Sequence, residues 1–200
     1  MRTLIIYVIF VAFIAESNAC TCLPQHPQEH FCKSQFVVQA RVIRQKTVNN
    51  GLDIVYTVQI IQDFKSDSRR YGQQTTMRTI KTSSSSAACG SYFKINKEYI
   101  LSGFNHQGNW ETNLCAWNTE TSLLTEYQRR ALNFGIYQNS CTCKIFDCTS
   151  DVIDCPAVKG NECVIRTNPS CYYDNNSCGR VNSKCMWASP SCDVPQQYVK

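Results

Sequence analysis

Two stretches of this sequence place residues where they can meet a metal. The first is His26-Pro27-Gln28-Glu29-His30, which fits the pattern H-x-x-E-H. That pattern serves zinc peptidases because a helix sets both histidines on one face and leaves the glutamate as base. The surroundings here argue against that use. Pro27 can stand only at a helix start, and Cys22 and Cys32 pin the flanks of a very short segment. The required helix has nowhere to extend, so His26 and His30 are expected in a loop rather than on a metal. His106 is expected in a solvated turn. No G-x-S-x-G occurs, and the run Ser83–Ser86 has no base beside it. The residues do not describe an enzyme.

The second stretch is Cys20-Thr21-Cys22. Residues two apart in an extended segment point the same way, and cysteines so placed seldom bond to each other, so each must tie to a different distant segment. Stapling of a loose terminus is the ordinary outcome. A rigid, solvent-facing wedge is the other, because Cys20 stands where a new amino terminus is expected. Arg2 precedes an apolar run from Leu4 to Ala15, and Ser17 and Ala19 are small residues at the −3 and −1 positions of a signal-peptidase site. A free α-amino group has a pKa of about 7.7–8.0. With the carbonyl oxygen of the same residue it can close a five-membered chelate ring on a metal. The Cys20 thiol, held in its bridge, is not the ligand.

The elements that position these residues follow from composition and pattern. The apolar run is short of the roughly 20 residues a membrane span needs, and Ser17-Asn18 fit a lipoprotein box poorly. Residues 1–19 therefore read as a signal peptide, and the chain as secreted. All 14 cysteines follow it. An even, dense set in an oxidising compartment means bridges, and no C-x-x-C pair suggests structural zinc. Removing residues 1–19 leaves the net charge at +5. So diffuse an excess, screened at about 0.15 M salt, gives at most a weak pull toward anionic matrix polysaccharide. No basic run exceeds a pair such as Arg69-Arg70, so nucleic acid has no support as a partner.

The spread of cysteines marks two domains, residues 20–141 and 142–200. The first has enough apolar sequence for its own core, and the second must be stapled. Phe36, Val38, Ala40 and Val42 alternate with Val37, Gln39 and Arg41, and Ile54, Tyr56, Val58 and Ile60 alternate beyond the turn Asn49-Asn50-Gly51. Further strands are expected over Thr75–Ile80, Glu98–Gly103 and Asn109–Leu114, with a turn at Gly108-Asn109. Thr121 or Ser122 is expected to cap a helix bearing Leu124, Tyr127, Ala131 and Phe134 on one face. Five short strands and a helix suggest a small closed barrel, and Ser83–Ala88 an exposed loop before Cys89. Pro156, Pro169 and Pro190 exclude a continuous helix in the second domain.

The run from Cys20 to Gln28, then Phe31-Cys32-x-Ser34-x-Phe36-Val37-Val38-x-Ala40, resembles the start of the tissue inhibitors of metalloproteinases. The likeness continues at Cys89-Gly90, Cys115, Leu124-Thr-x-x-Gln128-Arg129-Arg130 and Cys185-Met-Trp187. It implies a mainly β fold, a five-stranded OB-fold barrel of the netrin-like type with flanking helices and a small disulfide-stapled C-terminal domain. It implies bridges Cys20–Cys89, Cys22–Cys115 and Cys32–Cys141, then Cys143–Cys185, Cys148–Cys155 and Cys163–Cys178. Cys171 and Cys192 lie beyond the family's usual twelve, and we pair them with each other because a leftover thiol in a secreted chain stays reactive.

The resemblance also implies a function. The amine and carbonyl of Cys20 would displace water from a target enzyme's zinc in a 1:1 complex, the chain having no cofactor of its own. Thr21 would enter the specificity pocket, with Cys22, Leu23 and Pro24 along the substrate cleft and Ser86, Ala87, Ala88 and Cys89 on its other side. Netrin-like domains that only bind or signal are the rival class, but these mostly lie within longer chains and lack an amino-terminal cysteine. The C-terminal domain can carry a second role toward a pro-enzyme or cell-surface receptor. Asn175-Asn176-Ser177 is an N-glycosylation acceptor, whereas Asn168 is followed by Pro169.

Overall fold

The alternation that begins at Phe36 forms the longest strand, β1 (Phe36–Val48), which turns through Asn49–Gly51 into an antiparallel β2 (Asp53–Asp63). All three turn residues have positive φ, 51°, 52° and 93°. Asn and Gly are the residues that enter this region at least cost. The computed structural model describes residues 20–66, 76–149, 155, 160–189 and 192. The expected leader over 1–19 and Thr75 at the expected start of the third strand lie outside them.

β3 (Thr76–Ser83) pairs antiparallel with β2. β4 (Glu98–His106) returns along β1, antiparallel to it, and turns into β5 (Asn109–Glu111). Because β5 also lies parallel to β3, the ring closes in the order β1-β2-β3-β5-β4-β1. This is a closed five-stranded barrel with OB-fold order, and closure leaves no long free edge. Register shifts at Gln39/Ala40 and Val42/Arg44 bend β1 so that it pairs on both sides. Phe36, Val38, Ala40, Val42, Ile54, Tyr56, Val58, Ile80 and Leu101 fill the interior. A two-residue edge piece, β6 (Thr119–Glu120), adds to β4.

Two expectations shift here. The β4–β5 turn is Gln107-Gly108, with φ of 51° and 88°, rather than Gly108-Asn109. β5 also ends at Glu111: the Thr112 N–H still donates to the Lys81 carbonyl of β3, but the Thr112 hydroxyl and the Asn113 carbonyl turn to a network around Asn118.

A second core lies outside the barrel wall. Val37 and Ile100 point outward from β1 and β4 and are buried under α1 (Pro27–Lys33), α2 (Glu126–Asn133) and α3 (Ile136–Asn139), with Phe31, Trp117, Leu124, Ala131, Leu132 and Tyr137. The cap of α2 is Thr125, not Thr121 or Ser122, which belong to a separate 3-10 turn. Thr125 Oγ1 accepts from the Gln128 N–H while Gln128 Oε1 accepts from the Thr125 N–H, a reciprocal box that satisfies two orphan donors. Phe134 is 69% exposed and off the apolar face, because the helix stops at Asn133 ahead of a left-handed Gly135; Leu132 is buried instead.

The C-terminal elements are short. β7 (Lys144–Asp147) runs parallel to β8 (Glu162–Ile165), α4 (Pro169–Asn175) follows, and β9 (Cys178–Val181) and β10 (Lys184–Trp187) form a hairpin. Their core is mostly bridge sulfur, with Ile145, Ile165 and Tyr172.

These elements meet the barrel across a polar seam centred on α1. The Gln28 carboxamide donates to the carbonyls of Ser140 and Cys178 and accepts from the Cys178 N–H. Glu29 accepts from the Ile145 N–H at 2.9 Å. On α2, Thr125 and Gln128 donate to the carbonyls of Asp174 and Tyr173.

Candidate functional site

Two bridges fix the start of the described chain. Cys20–Cys89 and Cys22–Cys115 span 69 and 93 residues, and the Cys20 and Cys115 sulfurs lie 3.8 Å apart. The side-by-side placement follows from cysteines two apart facing one way. A third bridge, Cys32–Cys141, anchors α1 just behind. The remaining pairs are Cys143–Cys185, Cys148–Cys155, Cys163–Cys178 and Cys171–Cys192, and no cysteine is free.

The bridges gather three segments into one ridge. Thr21, Leu23 and Pro24 are exposed along the first, with Leu23 at 64%. Ser86, Ala87 and Ala88 form an exposed turn, held by Ala88 and Gly90 N–H groups donating to the Ser85 carbonyl at 3.1 and 2.9 Å. Cys89 takes a left-handed φ of 58°, which swings its sulfur toward Cys20. Gly90 must follow it: a Cβ there would stand 2.3 Å from the Ser83 carbonyl oxygen. The third segment, Asn113–Cys115, joins when the Leu114 N–H donates to the Cys89 carbonyl at 2.7 Å. Leu114 is 53% exposed on this ridge. Sequence reasoning missed it, although its place beside Cys115 was the available signal.

The ridge is exposed, and no residue in Cys20–Pro24 or Ser86–Cys89 has a charged side chain. What it offers outward is backbone, the hydroxyls of Thr21 and Ser86, and the apolar side chains of Leu23, Pro24, Ala87, Ala88 and Leu114. A cleft of about 370 Å³ lies behind it, between Leu23-Pro24 and β7, with His26, Glu29 and Lys144 on its walls.

The H-x-x-E-H residues sit beneath this ridge, and here the structure corrects the loop expected for them. Pro27–Lys33 is a seven-residue helix with Pro27 in its first turn and His26 as its cap. His26 is buried, its Nδ1 accepting from the Gln28 N–H and its Nε2 donating to the Tyr172 carbonyl at 2.9 Å. Both nitrogens are engaged, so the ring is a strut. Burial pushes its pKa down to about 4, and burial with Lys33 nearby does the same for His30. Two sulfur triplets, Cys20/Cys89/Cys115 and Cys143/Cys178/Cys185, are close enough to surround an ion. Every one of those sulfurs is in a bridge, and a disulfide sulfur is not the thiolate that metals take.

The profile of the family described as tissue inhibitor of metalloproteinase matches residues 18–193. The chain belongs to that family. The match takes in the ridge, the barrel and the C-terminal elements together. Among its relatives in the tissue inhibitor family, metalloproteinase inhibitor 3 of Gallus gallus is 34% identical over 151 residues, 74% of this chain and 68% of that protein. Metalloproteinase inhibitor 3 of Scyliorhinus torazame is 33% identical over 66% of this chain and 61% of its own length. Metalloproteinase inhibitor 2 of Homo sapiens is 30% identical over 70% of this chain and 66% of its own. The tissue inhibitors are a family of inhibitors, not of enzymes.

Proposed function

We propose that this chain is a secreted inhibitor of zinc metalloproteinases of the matrix or sheddase type, in which residues 20–141 inhibit and residues 142–200 form a second domain. The observation that carries the reading is the doubly bridged Cys20-Thr21-Cys22 segment, exposed at Thr21 and braced by the Ser86–Cys89 turn. Signal removal before Cys20 frees an amine. That amine and the Cys20 carbonyl oxygen chelate the target's zinc, and Thr21 enters the pocket next to it. Cys22, Leu23 and Pro24 occupy one side of the target's cleft, with Ser86, Ala87, Ala88 and Cys89 on the other.

Rigidity supports this mechanism twice. Bridged segments lose little conformational freedom on binding, so more of the contact energy reaches the affinity. A peptide held off attack geometry is also not cut, because reaction needs near-attack alignment. The test is one added alanine before Cys20. It turns the amine into an amide, a far poorer ligand, and pushes a residue against the metal while leaving every bridge and the barrel core alone. Inhibition should fall by several orders of magnitude, each factor of ten being about 1.4 kcal/mol, with an unchanged thermal melt. An extended form that inhibits as well as the native one ends the chelation mechanism.

A further inference from the structure

The acceptor sequence Asn175-Asn176-Ser177 is split by the fold. Asn175 ends α4 and is exposed, whereas Asn176 and Ser177 are 0% and 1% exposed. The Asn176 carboxamide is held at both ends: its Nδ2 donates to the Ser189 carbonyl at 2.7 Å, and its Oδ1 accepts from the N–H groups of Ser177 and Ser189. The Ser177 hydroxyl accepts from the Tyr127 hydroxyl at 2.7 Å, across the seam. The next residue, Cys178, is bridged to Cys163 and donates its N–H to Gln28.

A glycan-transferring enzyme must grasp the asparagine amide and the serine hydroxyl of the sequon together. The folded molecule presents the first and withholds the second. We propose that Asn175 carries an N-linked glycan and that the glycan is attached before the seam closes, so that occupancy is set by a race between transfer and folding of the C-terminal elements. The proposal rests on the secretory route in the reading above. In the transfer step the Asn175 amide nitrogen displaces pyrophosphate from the anomeric carbon of a lipid-pyrophosphate-linked oligosaccharide. A C–N bond forms, a C–O bond breaks, the lipid pyrophosphate leaves, and the amide proton passes to a base on the transferase.

The fold accepts the product at Asn175 alone. A sugar on the neighbouring Asn176 would have to occupy space that is fully buried, and Asn168 is disqualified by Pro169.

The experiment expresses the full chain in secreting eukaryotic cells, with and without a pulse of dithiothreitol during synthesis that delays the bridges. Protein from the medium is then weighed before and after peptide N-glycosidase. A glycosidase-sensitive fraction is expected, absent from Asn175→Gln and larger after the pulse. In vitro, refolded unglycosylated protein offered to oligosaccharyltransferase and its lipid-linked donor should stay unmodified until its bridges are reduced. No sensitive mass in secreted protein overturns the site. Equal occupancy with and without the pulse, or modification of the folded protein, overturns the race. A chain retained in the cytosol overturns the secretory reading along with it.

Discussion

Thr21 is flanked on both sides by bridged cysteines, so in the proposed mechanism its side chain meets the target in one pose. Its substitution should therefore act through contacts and not through loss of order. On that mechanism Thr21→Gly should empty the target's pocket, while Thr21→Arg should suit only deep or acidic ones. Shifts of about 1.4 kcal/mol would appear as roughly tenfold changes in inhibition constant, with different signs for different enzymes. A panel of metalloproteinases that gives equal constants for native protein and both variants would place Thr21 outside the pocket. At this scale, types and spacing singled out Cys20 and Cys22 as doubly tied, but their partners came from family resemblance, because spacing alone leaves many connectivities open. Leu114 was harder to read: its place beside Cys115 was the only local sign, and what sets it on the ridge is a backbone hydrogen bond to Cys89, 25 positions away.

Helix α1 is short, and His26 is much of what starts it, capping Gln28 on one side and holding Tyr172 on the other. Its pKa falls from 6.5 to about 4 on burial, so the unfolded chain takes up a proton that the folded chain refuses. Stability is therefore fully present above pH 6.5, is lost as pH falls toward 4, and loses nothing more from this group below that. The shift corresponds to about 3 kcal/mol, and His30 adds in the same direction. Thermal melts between pH 7 and 4.5 should show the decline, smaller in His26→Asn, which keeps a capping oxygen. A melting temperature flat across that range would refute the strut. The strands were readable because alternation reports directly which face is buried. Helix boundaries were not: the Thr125/Gln128 box was present in the sequence, yet Thr121 and Ser122 offered equally good hydroxyls, and only packing of Leu124 chose between them.

The whole molecule changes partners at one residue, Thr142, between Cys141, bridged back to Cys32, and Cys143, bridged forward to Cys185. A chain ended after Cys141 keeps both barrel-side cores and three bridges. Each of those closes a loop of 69 to 109 residues, a constraint of roughly 4–5 kcal/mol in the chain-entropy model. It loses the seam and with it the Tyr172 carbonyl that holds His26, but the groups uncovered there, His26, Gln28, Glu29, Thr125, Gln128 and the Tyr127 hydroxyl, carry polar atoms that become hydrated. We expect it to fold, to melt earlier, and to inhibit within about tenfold of the full chain. A truncated form with a native circular-dichroism spectrum and no inhibition would show that the ridge needs the C-terminal elements. The paired bridges of the ridge carry one more consequence. Were a target to hydrolyse the bond on either side of Thr21, no fragment could diffuse away, since Cys20 stays tied to Cys89 and Cys22 to Cys115. The severed ends would remain at a high effective concentration, and the same site could reseal them, so that a nick would be a reversible event on the bound inhibitor and not its destruction.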